Sequence, residues 1–549
     1  RFIDPKSSNA TARTANSSTS TNSSLLGDLY TTSSDNTKWD TQFSLYYSRS
    51  LGLHNLNVSA IVNAQSTKSE STSAHYRGFP SGAFHSPNYA AEIYQKPSKS
   101  ESLKRLVGFL LSANYTWNDI YLADLSVRFD GSSEFGSDQK WAPFWSAGVG
   151  VNVHNYSFLK DNDMINQVKV RVSYGQTGKV NFPSYSAKTV YATNDRWYAT
   201  GFGTQLKALG NHNLKWETTN KLNMGTDLQF WNERISLNFD YYYNKTVDLI
   251  TDVSLPASAG FTSYKDNLGE TLNKGFDIQV RFDVYKDKDW NVSLWGNLNH
   301  NRNEILKISD ALRAYNDRVN EKYEAAEDAQ GNVNLSAYGS EYSEPEMKYE
   351  EGASLTSIFA IRSLGIDPMT GNELFLYRDG SVSSLWKATE TVRVGDEEPK
   401  ASGSFGVNLT YKNLTLFASF AYDWGKQTYN QTLVDGVENA DIENSNVDRR
   451  VLTQRWQKPG DIAPLRNIKD MNTSTMPTSR FVQDDNELSL SALTLSYDFN
   501  TDWLKKIRLK MLRLELSTND LFRASTVRQE RGTSYPFART FNFSLRATF

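Results

Sequence analysis

The chain has 549 residues, no cysteine, six histidines and a formal net charge of −3 at pH 7. The lack of cysteine excludes thiolate metal sites, disulfides and thiol catalysis, and near-neutral charge without a basic block argues against nucleic-acid binding. Hydrophobic residues make up 38% of the chain and aromatic residues 13%, so the apolar content is unusually aromatic. The densest apolar run, 106–113, is far shorter than the roughly 20 residues of a membrane-spanning helix, which argues against a helical membrane protein.

Residues 1–36 are dominated by Ser, Thr, Asn and Ala and show no apolar period. Such a composition predicts a loop or a flexible segment. From residue 37 to 549, segments of alternating apolar and polar residues recur in pairs. Short connections join the members of a pair, and long connections separate one pair from the next. The predicted long loops cover about 67–102, 178–213, 304–400 and 425–485.

About fifteen segments show the period-two alternation of a β-strand, whose successive side chains point to opposite faces. One pair turns at Asn118 and Asp119, a favourable tight-turn sequence. The predicted strands are Thr41–Arg49, Asn55–Ser66, Leu103–Trp117, Ile120–Asp130, Pro143–Val153, Ile165–Thr177, Trp216–Trp231, Arg234–Leu249, Gly269–Tyr285, Trp290–Asn303, Ser402–Lys412, Leu414–Trp424, Glu487–Phe499, Ile507–Phe522 and Tyr535–Phe549.

The last of these segments, Tyr535–Phe549, places aromatic and aliphatic residues on one parity and polar residues on the other, and it ends the chain on phenylalanine. This pattern is typical of the closing strand of an outer-membrane β-barrel, although the last strand of a soluble sandwich also alternates. In two earlier strands the apolar parity slips, between Leu490 and Leu493 and between Met511 and Leu512. Each slip predicts either a β-bulge or a different register.

Strand length distinguishes the two architectures. Most predicted strands have roughly 10 to 16 residues, whereas a globular strand averages about 5 to 6 and a tilted membrane strand needs about 9 to 11. Short turns that alternate with long loops are also typical of outer-membrane barrels. No fixed repeat of a propeller or solenoid is present. The sequence therefore predicts an all-β fold, a transmembrane antiparallel β-barrel.

Several strings go beyond a generic barrel, and they occur in a defined order. They are YLADLSVRFDGSSEFG from Tyr121, VKVRVSYGQTG from Val168, LGNHNLKWE from Leu209, NKG from Asn273 and GTSYPFARTFNFSLRATF from Gly532. Most of these residues are explained by turn and strand-start chemistry, so they identify a family rather than a site. From Thr41 to Phe549 the chain resembles the barrel of the SusC/RagA-type TonB-dependent transporters of the Bacteroidota outer membrane.

The resemblance implies a barrel of about 22 strands filled by an amino-terminal plug. About fifteen strands cannot close around such a lumen, and an open barrel would expose unpaired backbone to lipid. We therefore expect that Arg1 begins inside the full protein and that roughly seven strands and the plug lie in an amino-terminal portion of the same transporter. The resemblance further implies outer-membrane lipid, TonB acting through the plug, and a SusD-like surface lipoprotein as partners.

Three functions remain open at this point. The resemblance favours TonB-dependent import of oligosaccharides with the lipoprotein as a lid, and the alternatives are a peptide importer of the same family or a passive porin or adhesin barrel. An enzyme is not predicted, because HExxH, GxSxG and P-loop motifs are absent from the sequence. The pairs Asp484–Asp485 and Glu397–Glu398 are better explained as solvated loop charge than as glycosidase carboxylates. No cofactor or metal site is predicted.

Aromatic residues in the predicted external loops are the candidates for contact with substrate or partner, because aromatic rings stack on sugar faces and on peptide side chains. The alternative explanation for each ring is packing within the loop. The long acidic insertion at 304–400 is expected to supply contacts to the lipoprotein. The candidate residues are Tyr76, Trp197, Tyr198, Tyr338, Tyr342 and Trp386.

Overall fold

The computed structural model contains 25 strands in the part of the chain that it describes, and only short helices apart from one of 17 residues. The described residues are 2–3, 27–83, 85–135, 139–160, 162–179, 185, 187–198, 201–211, 213–254, 263–267, 269–326, 340–440, 442, 446–467, 475–499, 504, 508–528 and 539–548.

Antiparallel pairing joins sixteen of the described strands into one sheet, and the other nine form small hairpins and ribbons in the long connections. The strands are β1 (Phe2–Ile3), β2 (Asp28–Leu51), β3 (His54–Arg77), β4 (Glu92–Trp117), β5 (Tyr121–Ser132), β6 (Trp141–Asn152), β7 (Ile165–Lys179), β8 (Val190–Tyr198), β9 (Gly201–Ala208), β10 (Glu217–Phe230), β11 (Ile235–Val247), β12 (Ile250–Ser254), β13 (Ser263–Asn267), β14 (Glu270–Lys286), β15 (Trp290–Lys307), β16 (Ser357–Ala360), β17 (Arg362–Ile366), β18 (Glu373–Leu376), β19 (Val382–Ser383), β20 (Val392–Asp396), β21 (Ala401–Tyr411), β22 (Leu414–Tyr429), β23 (Val482–Asp498), β24 (Met511–Ser525) and β25 (Thr540–Thr548).

Helical segments lie between the strands. The α-helices are α1 (Asp310–Ala326), α2 (Gln431–Leu433) and α3 (Arg450–Thr453). Single turns of 3-10 helix occur at Pro87–Tyr89, Val153–Asn155, Ser340–Ser343, Ala388–Glu390 and Ser479–Phe481, and a π-helical turn occurs at Val434–Glu438. Among the described residues, no helix combines the length and apolar character needed to cross a membrane.

The large sheet follows the chain order β1 to β7, β10, β11, β14, β15 and β21 to β25, so each strand pairs with its neighbours along this series. The longest connections lie at one edge, here called the long-loop end, and most connections at the other edge are tight turns, with 153–164 and 499–510 as the exceptions. At the opposite short-turn end, tight turns use left-handed backbone, with φ of +53° at Asn118, +55° at Asp119 and +60° at Gly52. The predicted turn at Asn118 and Asp119 is therefore confirmed.

The two faces of the sheet differ in polarity. On the outward face, cross-strand partners are apolar, as in Phe109 with Phe129 and Val127 with Trp145. These side chains are exposed to the surroundings of the sheet, although apolar rings would normally be buried. On the inward face the same strands carry polar partners such as Ser126, whose Oγ lies 2.7 Å from that of Ser146. An apolar outer and a polar inner face are the pattern of a membrane β-barrel wall.

One predicted register slip is a true irregularity. The pairing of β22 with β23 shifts between Ser419 and Phe420, and the pairing of β23 with β24 shifts between Leu490 and Ala492. The skipped residue Ser491 donates its hydroxyl to the carbonyl oxygen of Ser419 at 3.0 Å. The bulge predicted between Leu490 and Leu493 is confirmed. The slip at Met511 is not a bulge, because β24 begins at that residue and pairs with β25 in one register.

The strands next to the predicted loops are longer than the sequence indicated. The predicted loop 1–36 is wrong from residue 28 onward, where β2 begins, whereas residues 4–26 lie outside the described residues. Polar Ser- and Thr-rich stretches that looked like the loop 67–102 belong to β3 and β4, which leave 78–91 as the connection. Hydrogen bonds such as Ser73 with Ser98 at 2.8 Å and ion pairs such as Lys99 with Glu70 at 3.1 Å join these stretches.

The other predicted loops contain ordered elements of their own. The segment 178–213 holds the hairpin of β8 and β9, and 304–400 holds α1 and β16 to β20. The boundaries of 425–485 also change, because β22 continues to Tyr429 and β23 already begins at Val482. Alternation did not reveal these short strands, because they bury both faces or pair only locally.

We predict that Gly275→Ala in β14 impairs barrel assembly. A Cβ at Gly275 would meet the carbonyl oxygen of His300 and lie 2.6 Å from Oη of Tyr242, which crosses over the glycine. Overpacking of this kind costs about 1–3 kcal/mol. Gly296→Ala is the matched control in the adjacent strand, because its Cβ would meet nothing closer than Phe405 Cβ at 3.5 Å. The measurement is the fraction of outer-membrane protein in the compact, heat-modifiable form, and an equal fraction for both variants would contradict the prediction.

Candidate functional site

A row of amide side chains runs along the inward face of β15. Alternation places Asn297, Asn299, Asn301 and Asn303 on this face. The Asn299 amide donates to Asp277 of β14, and Asn301 accepts a hydrogen bond of 2.9 Å from Tyr242 of β11. The row is therefore the centre of a polar network that spans several strands and approaches the long-loop end.

The same network continues towards β21 and the connection before it. Asn303 donates to Oδ1 of Asn273 at 2.8 Å, and its own Oδ1 accepts the backbone N–H of Leu355 at 2.8 Å. Glu398 accepts the backbone N–H of Asn303 at 2.8 Å and also accepts from the Asn301 amide. Glu398 is thus held by the wall of the barrel, and it has the role of a structural acceptor.

Charged groups on the inward face are largely paired with one another. Arg171 of β7 donates from Nη1 to both carboxylate oxygens of Asp227, at 2.6 and 2.7 Å, and from Nη2 to Asp240. Gly225 lies beneath this guanidinium, where a Cβ would come within 2.7 Å of Arg171 Nε. Arg171 therefore links β7, β10 and β11, and it crosses β10 at Gly225, which has no side chain to obstruct it.

The two longest connections fold together into one unit, here called the cap, formed by the described residues of 308–400 and 430–481. The side chain of Trp386 is only 4% exposed, and its Nε1 donates to the carbonyl oxygen of Pro477 at 3.0 Å. Residues from both connections share one apolar core: Val319, Tyr323, Tyr342, Ile361, Phe375, Trp386, Ala388 and Met476. The cap is consequently a packed structure and not a set of separate loops.

A buried group of charges also joins the two connections. Arg480 donates from Nη2 to Glu373 at 2.9 Å and to Glu438 at 2.6 Å, and Thr478 donates to the other Glu373 oxygen at 2.6 Å. Burial acts to lower the pKa of Arg480, but the carboxylates of Glu373 and Glu438 outweigh it and raise the pKa. The guanidinium therefore stays charged and links the two parts of the cap.

Lys348 is a buried amine without an ion-pair partner in the described part of the chain. Its Nζ donates to Asn320 Oδ1 at 2.6 Å, to the carbonyl oxygen of Ala388 at 2.9 Å and to the hydroxyl of Thr391. Burial, with a smaller contribution from the charge of Arg378, lowers the pKa of Lys348 to about 8. The folded cap therefore holds this proton less strongly than water does, and the amine is still mostly protonated at pH 7.

The structure separates the aromatic residues that the sequence singled out. Tyr342 and Trp386 are buried in the core of the cap, which agrees with the alternative explanation that these rings pack within the loops. Tyr76 lies in β3 opposite Leu29 and not in a loop. Trp197 and Tyr198 are in β8, paired with β9, and Tyr338 lies outside the described residues.

The amide row could have been predicted from the spacing of asparagine in the sequence. The string NLNHNRN at 297–303 places asparagine at every second position of a predicted strand. Period-two spacing puts all four amides on one face. The sequence-based candidates did not include these asparagines, because only aromatic residues in predicted loops were candidates and the asparagines lie on a strand of the barrel wall.

A groove of about 700 Å³ lies at the long-loop end, where β15, β22 and β23 meet the cap. Amides and charged groups line most of it, and Trp424 is its exposed aromatic residue. Glu398 and Asp484, one from each acidic pair of the sequence, both line this groove, and each accepts hydrogen bonds from neighbouring protein groups. Asp484 accepts from Gln427 at 3.1 Å, Asp485 pairs with Lys426 at 3.2 Å, and the described residues contain no acidic or histidine cluster suited to a metal ion.

Comparisons with known proteins agree with this architecture. The family model described as TonB dependent receptor-like, beta-barrel matches residues 3–356. TonB-dependent receptor P3 of Formosa agariphila is 28% identical over 487 residues, which are 87% of this chain and 47% of the relative. TonB-dependent receptor SusC of Bacteroides thetaiotaomicron is 30% identical over 287 residues, which are 50% of this chain and 28% of the relative.

The fold matches a solved structure of the RagAB peptide transporter with a TM-score of 0.77 and 22% identity, over 91% of this chain and 53% of that one. The chain therefore belongs to the TonB-dependent receptor β-barrel family, and its relatives are of the SusC/RagA type. The predicted all-β barrel and outer-membrane location are confirmed, and the relatives are receptors and transporters rather than enzymes. The chain spans about half the length of the relatives it matches.

We predict that Arg480→Met loosens the cap while the barrel remains folded. The substitution leaves Glu373 buried without its cation and Glu438 with only Arg466, whose Nε is 3.8 Å away, and breaking a buried ion pair in this way costs about 3–5 kcal/mol. Cleavage within the cap by a protease should accelerate by about 100-fold or more, because each 1.4 kcal/mol is about tenfold in an opening equilibrium.

Arg313→Met is the control for this experiment. Arg313 is 60% exposed and its contact with Glu351 is 3.9 Å long, so its loss should change cleavage little. Equal cleavage rates in the Arg480 and Arg313 variants would show that the buried charges do not hold the cap together.

We predict that raising the pH from 8 to about 10.5 stabilises the cap. The folded cap releases the Lys348 proton near pH 8, whereas the unfolded chain holds it up to about 10.5, so the free energy of unfolding rises with pH across this window. The gain is at most about 3 kcal/mol. It is measured as the shift in the urea concentration that permits protease cleavage, compared with Lys348→Met. A variant with the same pH slope as the wild type would contradict this assignment.

Proposed function

We propose that this chain forms part of the barrel wall and the cap of a TonB-dependent importer, which brings oligosaccharides across the bacterial outer membrane. Family membership and the polar inward face support import through a barrel. The long-loop end, with the cap, would face outside the cell. An amino-terminal portion of the same transporter would supply the plug on which TonB acts, as the resemblance to this family implies.

The asparagine row on β15 is the observation that supports an oligosaccharide as the substrate. Amides donate and accept hydrogen bonds without charge, which suits the hydroxyl groups of a sugar. The row lies beneath the cap, so a glycan entering from the long-loop end would meet it. The nearby phenol of Tyr242 adds a further polar group, although it is already bonded to Asn301.

A peptide importer is the second candidate, because the fold resembles the RagAB peptide transporter. Peptide backbones also hydrogen-bond to amides, but peptide termini and charged side chains need ionic partners. Arg171 on the described inward face is already bound to Asp227 and Asp240. This arginine is therefore not free to bind a peptide carboxylate.

The resemblance to this family also implies a SusD-like surface lipoprotein, and the cap is where it would dock. The expected contribution of the acidic insertion changes with the structure, because 340–351 is part of the packed cap and not a free acidic loop. Exposed apolar side chains at Met369, Leu452 and Ile462 are better placed for contact. They lie on adjacent segments, since Gly460 donates to the carbonyl oxygen of Pro368 at 2.8 Å.

We predict that the double variant Asn299→Ala and Asn301→Ala reduces oligosaccharide uptake about fivefold or more, since two lost hydrogen bonds weaken binding by about 1–3 kcal/mol. Uptake is measured in cells that depend on the complete transporter, as the depletion of a mixed oligosaccharide pool and of a peptide pool from the medium. Asn291→Ala is the matched control, because Asn291 is on the same strand and face at the short-turn end.

Three results would distinguish the alternatives. Depletion of peptides but not oligosaccharides would replace the glycan assignment with a peptide one. Uptake that continues without TonB would indicate a passive porin. Unchanged uptake in the double variant would show that the asparagine row does not contact the substrate.

A further inference from the structure

The inward face of β15 carries an aromatic ring below the asparagine row. Trp295 shares the parity of Asn297 and Asn299, so its side chain lies on the same face of the sheet. Its partners in the neighbouring strands are Arg281 of β14 and Gly406 of β21. Trp295 is four residues before Asn299, which is about 13 Å along a strand. It is not among the residues that line the groove beneath the cap, so it belongs to a different part of the wall, nearer the short-turn end.

A glycine in the next strand lets this ring lie over the wall. A Cβ at Gly406 would come within 2.7 Å of Cζ2 and 2.9 Å of Cε2 of Trp295, so the indole covers the place where a side chain of β21 would stand. The backbone of β21 supports the ring on one side. The other side of the indole is then turned away from the wall, towards the interior.

A second ring, Phe417 of β22, extends this surface. Ser419 is the partner of Gly406, and alternation places Phe417 on the same inward face two residues away. The ring centroids of Trp295 and Phe417 are 6.2 Å apart, and their planes differ by only 9°. Both side chains are half-buried, so each still has accessible surface. The two nearly parallel rings are here called the ring platform.

Two exposed amides border the ring platform. Asn297 follows Trp295 on the same face, and its Oδ1 accepts the backbone N–H of Ser404 at 2.6 Å. Its Nδ2 makes no hydrogen bond within the part of the chain that the structure describes. Asn408 is the partner of Phe417, and its side-chain amide likewise has no hydrogen-bond partner among the described residues. Both amides can therefore donate to a ligand that lies on the rings.

The charges beside the ring platform balance each other. Arg281 lies opposite Trp295, and its Nε donates to Oδ1 of Asp283 at 3.2 Å. One cation and one anion therefore stand together on this flank, and they add no net charge. Flat apolar rings bordered by a few uncharged donors suit a pyranose, whose C–H groups pack on an aromatic face while its hydroxyl groups form hydrogen bonds at the edge.

From this arrangement we infer that Trp295 and Phe417 form a stacking subsite for a pyranose ring of a neutral oligosaccharide, with Asn297 and Asn408 donating to its hydroxyl groups. The inference rests on the proposed import of oligosaccharides and adds a second contact to it. The subsite lies on the same face as the asparagine row and nearer the short-turn end. A sugar chain that has passed the row beneath the cap reaches the ring platform next.

The test uses cells that depend on the complete transporter and measures uptake of the mixed oligosaccharide pool at a series of concentrations. Trp295→Leu should raise the concentration for half-maximal uptake about fivefold or more, because leucine is apolar but offers no flat ring. Trp295→Phe keeps a ring and should stay within about twofold of the wild type. Leu294→Ala is the matched control, since it removes an apolar side chain at the same height on the outward face. Folding of each variant is checked by heat-modifiable mobility.

The outcomes separate this inference from the proposed function. Unchanged uptake in Trp295→Leu, together with reduced uptake in the Asn299 and Asn301 double variant, would overturn the ring platform alone. An equal loss in the leucine and phenylalanine variants, or in the Leu294 control, would overturn stacking as the cause. Faster protease cleavage of the plug with an unchanged half-maximal concentration would assign the rings to plug contact instead. A wild type that takes up no oligosaccharide would overturn both proposals.

Discussion

The period of two along each strand is the constraint on which the rest of this structure depends. Because neighbouring side chains point to opposite faces, a strand with one apolar and one polar parity must separate two environments. The paired rings of Phe109 and Phe129 face one environment, and the hydroxyl pair Ser126 and Ser146 faces the other. Slipping any strand by one residue would exchange the faces, so the alternation also fixes the register.

Glycines allow long polar side chains to cross the inner wall without breaking that register. Arg171 reaches two carboxylates over Gly225, and Tyr242 reaches Asn301 over Gly275. A Cβ at either position would collide with these side chains or with the neighbouring backbone. The polar network therefore needs positions without a side chain, and this gives the glycine of the NKG string at 273–275 a structural role.

The cap shows a different principle, since its parts are far apart in the sequence. Arg480 binds Glu373 more than a hundred residues away, and Trp386 donates to the carbonyl oxygen of Pro477. Buried charges and one shared apolar core make the two connections a single body above the groove. The rings inside that body provide stability, and only its outer surface is open to contact.

The sequence by itself determined the long strands of the barrel wall, their order and the family. Local alternation, turn residues such as Asn118 and the slip at Leu490 are all encoded within a few residues, so the barrel wall could be predicted from them. It could not show that Tyr342 and Trp386 are buried, because their partners lie in another connection. The tertiary structure alone decided this packing, the lowered pKa of Lys348 and the end of the β15–β21 pairing at Asn299, since each arises where distant segments meet.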